Sequence, residues 1–292
     1  MKEAIFDPQK SGARMSIVCF VSGSGTNYAQ IAARNPNHEY FVFTNRPGCG
    51  AVDLAGKNRH RVIELSHEPY LKGLRERYGA GNIPRNCPER VQYEQDATRL
   101  IEDTIGKKPD LICLAGYDLW TTDWMVGEYY PRMLNVHPGD TIKGYVGLHW
   151  IPSAQAILAG DEGIKSTLFI VDETEDAGPV LLQSRPLSIV KTLKSLESKG
   201  AVGLMADLQK AIGFARMHSI ADYDGFRRLA GAEEKGMMKR VCEALLPELK
   251  VAGDWEIFPL AVQLISEGRV EVDGKTIYVD GKQLTSNGYS GH

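Results

Sequence analysis

The stretch M-S-I-V-C-F-V-S at residues 15–22, followed by Gly23-Ser24-Gly25-Thr26-Asn27, decides the fold. A near-continuous apolar run of this length is what a parallel strand buried on both faces needs. Glycines then turn the chain tightly, and the spacing predicts a helix over 27–33. Working outward, strand and helix keep alternating. Strands are expected at 40–44 (Y-F-V-F-T), 61–65, 111–115 (L-I-C-L-A), 133–136 and 166–171, and helices at 51–58 and 91–105. The segment 66–90, with Pro69, Pro84 and Pro88, reads as irregular. Such alternation marks an α/β fold with a mainly parallel, twisted sheet flanked by helices. Residues 192–253 read as a run of short amphipathic helices. Two Asp-Gly pairs in R-V-E-V-D-G-K-T-I-Y-V-D-G-K mark an antiparallel hairpin over 268–284.

Composition excludes several classes. The chain has 292 residues, 43% hydrophobic and 24% charged, with a net charge of -3. That is ordinary globular composition, without the basic face that nucleic acid demands. No apolar run reaches the ~18–20 residues of a membrane span. Residues 1–14 are polar and read as an N-terminal extension, not as a secretory signal. Cys19, Cys49, Cys87, Cys113 and Cys242 are odd in number and form no C-x-x-C pair. Neither a disulfide framework nor a zinc site is indicated. The expectation is a soluble, reduced, cytoplasmic protein, one domain over 1–292, without a membrane or nucleic-acid partner, and monomeric or homodimeric.

Two motifs carry chemistry. Gly23, Gly25, Thr26 and Asn27 form a glycine-rich turn at a helix N-terminus, where backbone N–H groups and the helix dipole favour a phosphate. The same composition also serves as a plain strand-to-helix turn capped by Thr26 or Asn27. The G-x-G-x-x-G fingerprint lacks its third glycine, and Thr44-Asn45 stands where an acidic residue would end the second strand. Both features argue against a nicotinamide cofactor. The second motif is L-N-V-H-P. Side chains at i and i+2 share one face of a strand, so Asn135 and His137 project together from a strand stopped by Pro138. Histidine moves protons near neutral pH, and an asparagine amide can donate to an oxyanion. Asp176, in D-A-G-P, is a candidate carboxylate to orient the imidazole. Each has an alternative reading: a capping amide, a structural histidine, a turn aspartate.

Taken in order, S-G-S-G-T-N, T-N-R-P-G-C-G-A, A-G-Y, L-N-V-H-P and D-E-T-E-D-A-G-P-V-L-L-Q resemble the folate-dependent formyltransferases. The tail, I-F-P-L-A-V-Q-L-I-S-E-G-R-V through D-G-K-Q-L-T-S-N-G-Y, resembles the glycinamide ribonucleotide branch. The likeness covers most of 15–185 and roughly 255–290. It implies a Rossmann-like formyltransferase fold with 192–253 as a helical insertion. It implies 10-formyl-tetrahydrofolate as co-substrate, a small phosphorylated amine as acceptor, and no metal. Asn135 would steady the oxyanion, His137 would move protons, and Asp176 would hold His137 and a water. Gly23, Gly25, Thr26 and Asn27 would cradle the substrate phosphate. Arg90, Ala115, Gly116, Tyr117, Val171 and Asp254 would contact folate or substrate. The donor pocket would be lined near 115–121 and 171–176.

The chain also departs from the family. After His137-Pro138 the family usually has S-L-L-P; here Gly139-Asp140-Thr141-Ile142 stands, then K-G-Y-V-G-L-H. After A-G-Y it usually has Met-Arg; here Asp118-Leu119. His149 matches a family histidine and also reads as a helix-start residue. Arg75, Arg77, Arg85 and Arg90 surround an enlarged loop, either solvated or facing an anion. Lys191, Lys194 and Lys199 read as a solvated face. Formyl transfer to glycinamide ribonucleotide in purine biosynthesis is the leading expectation. The alternatives are transfer to another amine such as an amino sugar nucleotide, hydrolysis of the formyl donor, and non-catalytic folate or nucleotide binding. Hydrolytic relatives usually carry an N-terminal regulatory domain, which 14 residues cannot hold.

Overall fold

The computed structural model describes residues 2–79, 82–174, 176–285 and 287–289. Glu175 of D-E-T-E-D and Ser286 of the tail, both quoted above, lie outside the described residues. The strands are β1 (Glu3–Ala4), β2 (Ser16–Val21), β3 (Glu39–Thr44), β4 (Arg61–Glu64), β5 (Leu111–Leu114), β6 (Met133–His137), β7 (Gly163–Ile164), β8 (Thr167–Ile170), β9 (Val180–Gln183), β10 (Leu187–Ser188), β11 (Val270–Asp273), β12 (Thr276–Val279) and β13 (Lys282–Gln283). A seven-stranded sheet runs β4-β3-β2-β5-β6-β8-β9. The pairings β3–β4, β2–β3, β2–β5 and β5–β6 are parallel. This is the α/β, mainly parallel sheet that the alternation predicts.

Contacts divide the chain into two compact units. The first comprises Met1–Val136, Phe169–Leu181 and Phe258–Thr285. Strand β2 is buried along its whole length, as its apolar run requires. Val18, Phe20, Phe41, Phe43, Ile112 and Leu114 pack with Tyr93, Ala97 and Ile101 of the helix Pro88–Ile105 into one core. The order β3-β2-β5 makes a topological switch point. The chain proceeds from β2 to β3 on one side and resumes with β5 on the other, which opens a crevice at the strands' carboxyl ends.

The segment expected to be irregular contains a helix, Glu68–Tyr78. Three prolines make the segment read as irregular, but Pro69 and Pro88 each sit in the first turn of a helix. There the missing N–H costs nothing, because first-turn donors lack intrahelical partners. The expected hairpin is present, with Asp273-Gly274 joining β11 to β12 and Asp280-Gly281 joining β12 to β13. It is larger than expected: β1, from the N-terminal extension, adds to β11, giving the sheet β1-β11-β12-β13.

The second unit comprises His137–Leu168, Leu182–Ile257 and Ser286–His292. Helices Ile189–Ser198, Leu204–Met217, Tyr223–Leu229 and Ala232–Leu249 supply the expected helical run. Leu193, Leu208, Ala211, Phe226, Val241 and Leu245 close its core with Ala154 and Ile157 of the helix Ile151–Leu158. Lys191, Lys194 and Lys199 are exposed, as a solvated face predicts. Among the described residues no helix is long and apolar enough to cross a membrane.

Candidate functional site

In the first unit, the glycine-rich turn lies at the switch point. Gly25 caps the helix Thr26–Arg34 with φ 71°, the left-handed region that costs glycine least. A Cβ there would lie 2.7 Å from Ala51 Cβ and 3.0 Å from Ala51 Cα. The turn and the start of the helix Gly50–Lys57 are therefore pressed together, with Ala51 N donating to Gly23 O at 3.0 Å. Gly23 and Ser24 are exposed, whereas Thr26 Oγ1 is buried with no hydrogen-bond partner among the described residues.

Around this turn the ends of β2, β3 and β5 share polar groups. Ser22 Oγ donates to Asn45 Oδ1 at 2.7 Å and accepts from Asp118 N at 3.0 Å. Asn45 Nδ2 donates to Asp118 Oδ1 at 2.8 Å, and Arg46 pairs with Asp118 Oδ2. Burial alone would raise the Asp118 carboxyl, but hydrogen bonds from Asn45 and Ser22 and the Arg46 charge outweigh it and hold it below the usual range. The β2–β5 ladder carries on to Ser22 N and Gly116 O at 3.0 Å, so Ala115 and Gly116 face the same crevice end. Tyr117 packs edge-on to Phe20, 5.2 Å between centroids, and its hydroxyl meets that of Tyr93.

The loop that follows is tied from the helix Pro88–Ile105 and the residues before it. Arg90 Nη2 donates to Trp120 O at 2.6 Å, and Arg85 Nε to Thr121 O at 2.6 Å. Glu94, almost fully buried, accepts Thr122 N at 2.9 Å and also the Thr122 hydroxyl. Burial raises the Glu94 carboxyl to about 7, against the opposing pull of Thr122, Arg90 and Arg85. Arg85 also reaches Glu173 O and, at 3.4 Å, Asp172 O. Arg85, half-buried, thus holds backbone carbonyls and also pairs with the Asp123 carboxylate at 3.5 Å, and Arg90, half-buried, holds the Trp120 carbonyl. Arg75 pairs with Glu68.

The turn after β8 completes the first unit's share. Val171 is buried and donates to Met133 O at 2.8 Å. Asp172 receives Thr174 N at 2.8 Å and pairs with Lys275 at 2.8 Å. Asp176 is half-buried with φ 47°, a conformation that aspartate tolerates better than most residues, and burial raises its carboxyl. Asn135, in β6, is partly buried and sits two residues before the strand's last.

In the second unit, His137 ends β6 and is 5% exposed. Burial lowers its imidazole to about 4, although a hydrogen bond to the Tyr145 backbone favours the charged form. It is therefore neutral at pH 7. Beyond it, Gly139 explains one departure from the family. A Cβ there would lie 2.5 Å from Tyr145 O, 2.6 Å from Pro152 Cβ and 3.1 Å from His137 Cδ2. Thr167 Oγ1 donates to Gly139 O at 2.7 Å, and Gln183 Nε2 donates to Asp140 Oδ1 at 2.8 Å. Asp254, in a π-helical turn (Lys250–Asp254), is buried and accepts Ser166 Oγ at 2.6 Å. His149 has φ 55° and lies two residues before the helix Ile151–Leu158.

Reasoning from sequence missed Glu94 and the role of Arg85. The first had a signal: Arg90 and Glu94 stand four apart on one helical face. The second had none beyond a local density of arginines.

Residues 15–202 match the family model described as formyl transferase. The trifunctional purine biosynthetic protein adenosine-3 of Drosophila melanogaster is 32% identical over 181 residues, 60% of this chain but only 12% of that protein. Phosphoribosylglycinamide formyltransferase of Escherichia coli is 22% identical over 282 residues, covering 94% of this chain and 99% of the relative. Among solved structures, phosphoribosylglycinamide formyltransferase from Coxiella burnetii aligns with TM-score 0.60 at 20% identity, over 94% of this chain and 98% of that one. A formyltetrahydrofolate deformylase from Pseudomonas putida aligns with TM-score 0.54 at 15% identity, over 91% and 70%. At such identities the structural likeness is one of fold.

Proposed function

The chain belongs to the formyl transferase family, and on that premise we propose that it transfers a formyl group from 10-formyl-tetrahydrofolate to the amine of glycinamide ribonucleotide, a step of purine biosynthesis. The observation that carries this reading is His137: buried, held neutral at pH 7, and two residues beyond Asn135 at the end of β6. A neutral imidazole can accept a proton, and an amide N–H can steady an oxygen that gains charge. The amine attacks the formyl carbon while the formyl oxygen takes up negative charge, which Asn135 stabilises. His137 takes the proton from the attacking nitrogen and returns one to the departing folate nitrogen. Asp176, with its carboxyl raised by burial, orients His137 and a water. The exposed Gly23-Ser24 turn and the orphaned Thr26 hydroxyl support a phosphate at residues 23–27.

The roles of Arg90, Ala115, Gly116, Tyr117, Val171 and Asp254 are proposed to be at the walls of the folate and substrate sites. A second reading, transfer to a different phosphorylated amine, is favoured by Asp118, whose carboxylate occupies Arg46 beside the phosphate turn. The test is release of tetrahydrofolate from 10-formyl-tetrahydrofolate with and without glycinamide ribonucleotide. Release that depends on the ribonucleotide bears out the proposal. Release without any amine makes the protein a hydrolase, and no release with folate still bound points to the second reading.

A further inference from the structure

Three carbonyl oxygens from two separate loops of the first unit converge on one side chain. Arg85 donates from Nε to Thr121 O, from Nη1 to Glu173 O and from Nη2 to Asp172 O. Each loop has ties of its own: Arg90 and Glu94 hold residues 120–122, and Lys275 holds Asp172. Arg85 joins the two. The task suits a guanidinium, whose N–H groups are fixed in one plane and aimed at separate acceptors, and does not suit the single ammonium of lysine. The side chain is only 19% exposed, so water competes weakly for those carbonyls.

We infer that Arg85 is a positioning residue that sets the separation of the loops 115–122 and 171–174, and thereby the fit of the flat heteroaromatic ring of the formyl donor. The inference rests on the proposed reading that these loops line the donor site. A flat ring between two walls needs a gap of about 7 Å, two contact distances of ~3.5 Å. A misplacement on the order of 1 Å is enough to cost a large factor in binding or rate. Arg85 touches neither donor nor acceptor in this account; it acts through the backbone it holds.

The probe is 5-formyl-tetrahydrofolate, which carries its formyl group on N5 and not on the donating N10, followed by tryptophan fluorescence; Trp120 stands half-exposed in the first loop. Wild type, Arg85→Ala and Arg85→Lys are compared, with melting temperatures recorded alongside. Arg85→Ala is expected to weaken binding about tenfold or more, as loss of charged hydrogen bonds implies. Arg85→Lys should recover it only in part. Added methylguanidinium should restore Arg85→Ala, which a general loss of stability would not permit, and KM for the acceptor should stay unchanged. Binding by Arg85→Ala within about twofold of wild type overturns the inference alone. So does a loss that methylguanidinium does not repair and that parallels the fall in melting temperature. A wild-type protein that binds no folate overturns the donor-site reading, and the inference with it.

Discussion

Strands β2 and β6 both run into a turn where glycine is forced by close contact, yet the polar groups beyond them are treated differently. After β2, Ser22, Asn45, Arg46 and Asp118 answer one another, and Arg46 and Asp118 remain partly exposed. Such groups can exchange one partner for another at little cost, as an arriving anion requires. After β6, His137 is withdrawn from water, and burial sets its protonation. The first arrangement suits binding, where charge must stay available. The second suits proton transfer, where a side chain must be neutral and ready to change.

The comparison breaks most severely if the buried histidine is dispensable. His137→Ala is expected to lower kcat by about 10²–10⁴, with Asp176→Asn of similar direction and the circular dichroism spectra unchanged. Steady-state rates decide it; near-normal turnover in either variant removes the proton-transfer role. Gly25→Ala should come next, because the new methyl meets Ala51 in a backbone conformation that alanine resists. Urea melts should show a loss of about 2–4 kcal/mol, and the acceptor KM should rise.

Glu94 sharpens the contrast, being a buried carboxyl whose value of about 7 exceeds its unfolded value of 4.5. Both states are protonated below 4.5; as pH rises the unfolded chain releases its proton first, so stability falls until about pH 7. Glu94→Gln should therefore gain on wild type by about 2–3 kcal/mol between those limits in melts at stepped pH. For His137 the sign is opposite. Its folded value of about 4 lies below 6.5, so its contribution is full above 6.5 and is lost as pH falls towards 4. The acid limb of kcat/KM should accordingly lie well below 6.5 in a pH–rate profile. The smallest effect belongs to Asp118→Asn: the exposed pair with Arg46 stabilises little, so the melting temperature should hardly move. Acceptor KM should change in this variant, because Arg46 is released.

Much of the first unit was legible because buried parallel strands need unbroken apolar runs, and V-C-F-V or L-I-C-L permit little else. The place of Asn135 and His137, two residues apart at the end of β6, was legible for a related reason: Pro138 stops a strand of period two there. The helix Glu68–Tyr78 was not, since proline reads as a breaker until its position in the first turn is known. Nor was Arg85, because its partners are main-chain oxygens, which every residue owns and no sequence advertises. Gly139 fell between: it reads as a departure, and only the nearness of Tyr145 and Pro152 shows that a side chain has no room there.

Strand β1 has a consequence for handling the protein. Two residues near the N-terminus, Glu3 and Ala4, lie along β11, and Lys2 rests over the ring of Tyr278 at 3.6 Å. They act as a selvedge, the finished border that keeps a woven cloth from unravelling or catching on the next piece. Trimming the chain as far as Ala4, short of the buried Ile5 and Phe6, would bare the hydrogen-bonding border of β11, and bared strand borders recruit other strands. A shortened chain would keep the side chains proposed for catalysis and still tend to self-associate, with light scattering rising before any activity is lost.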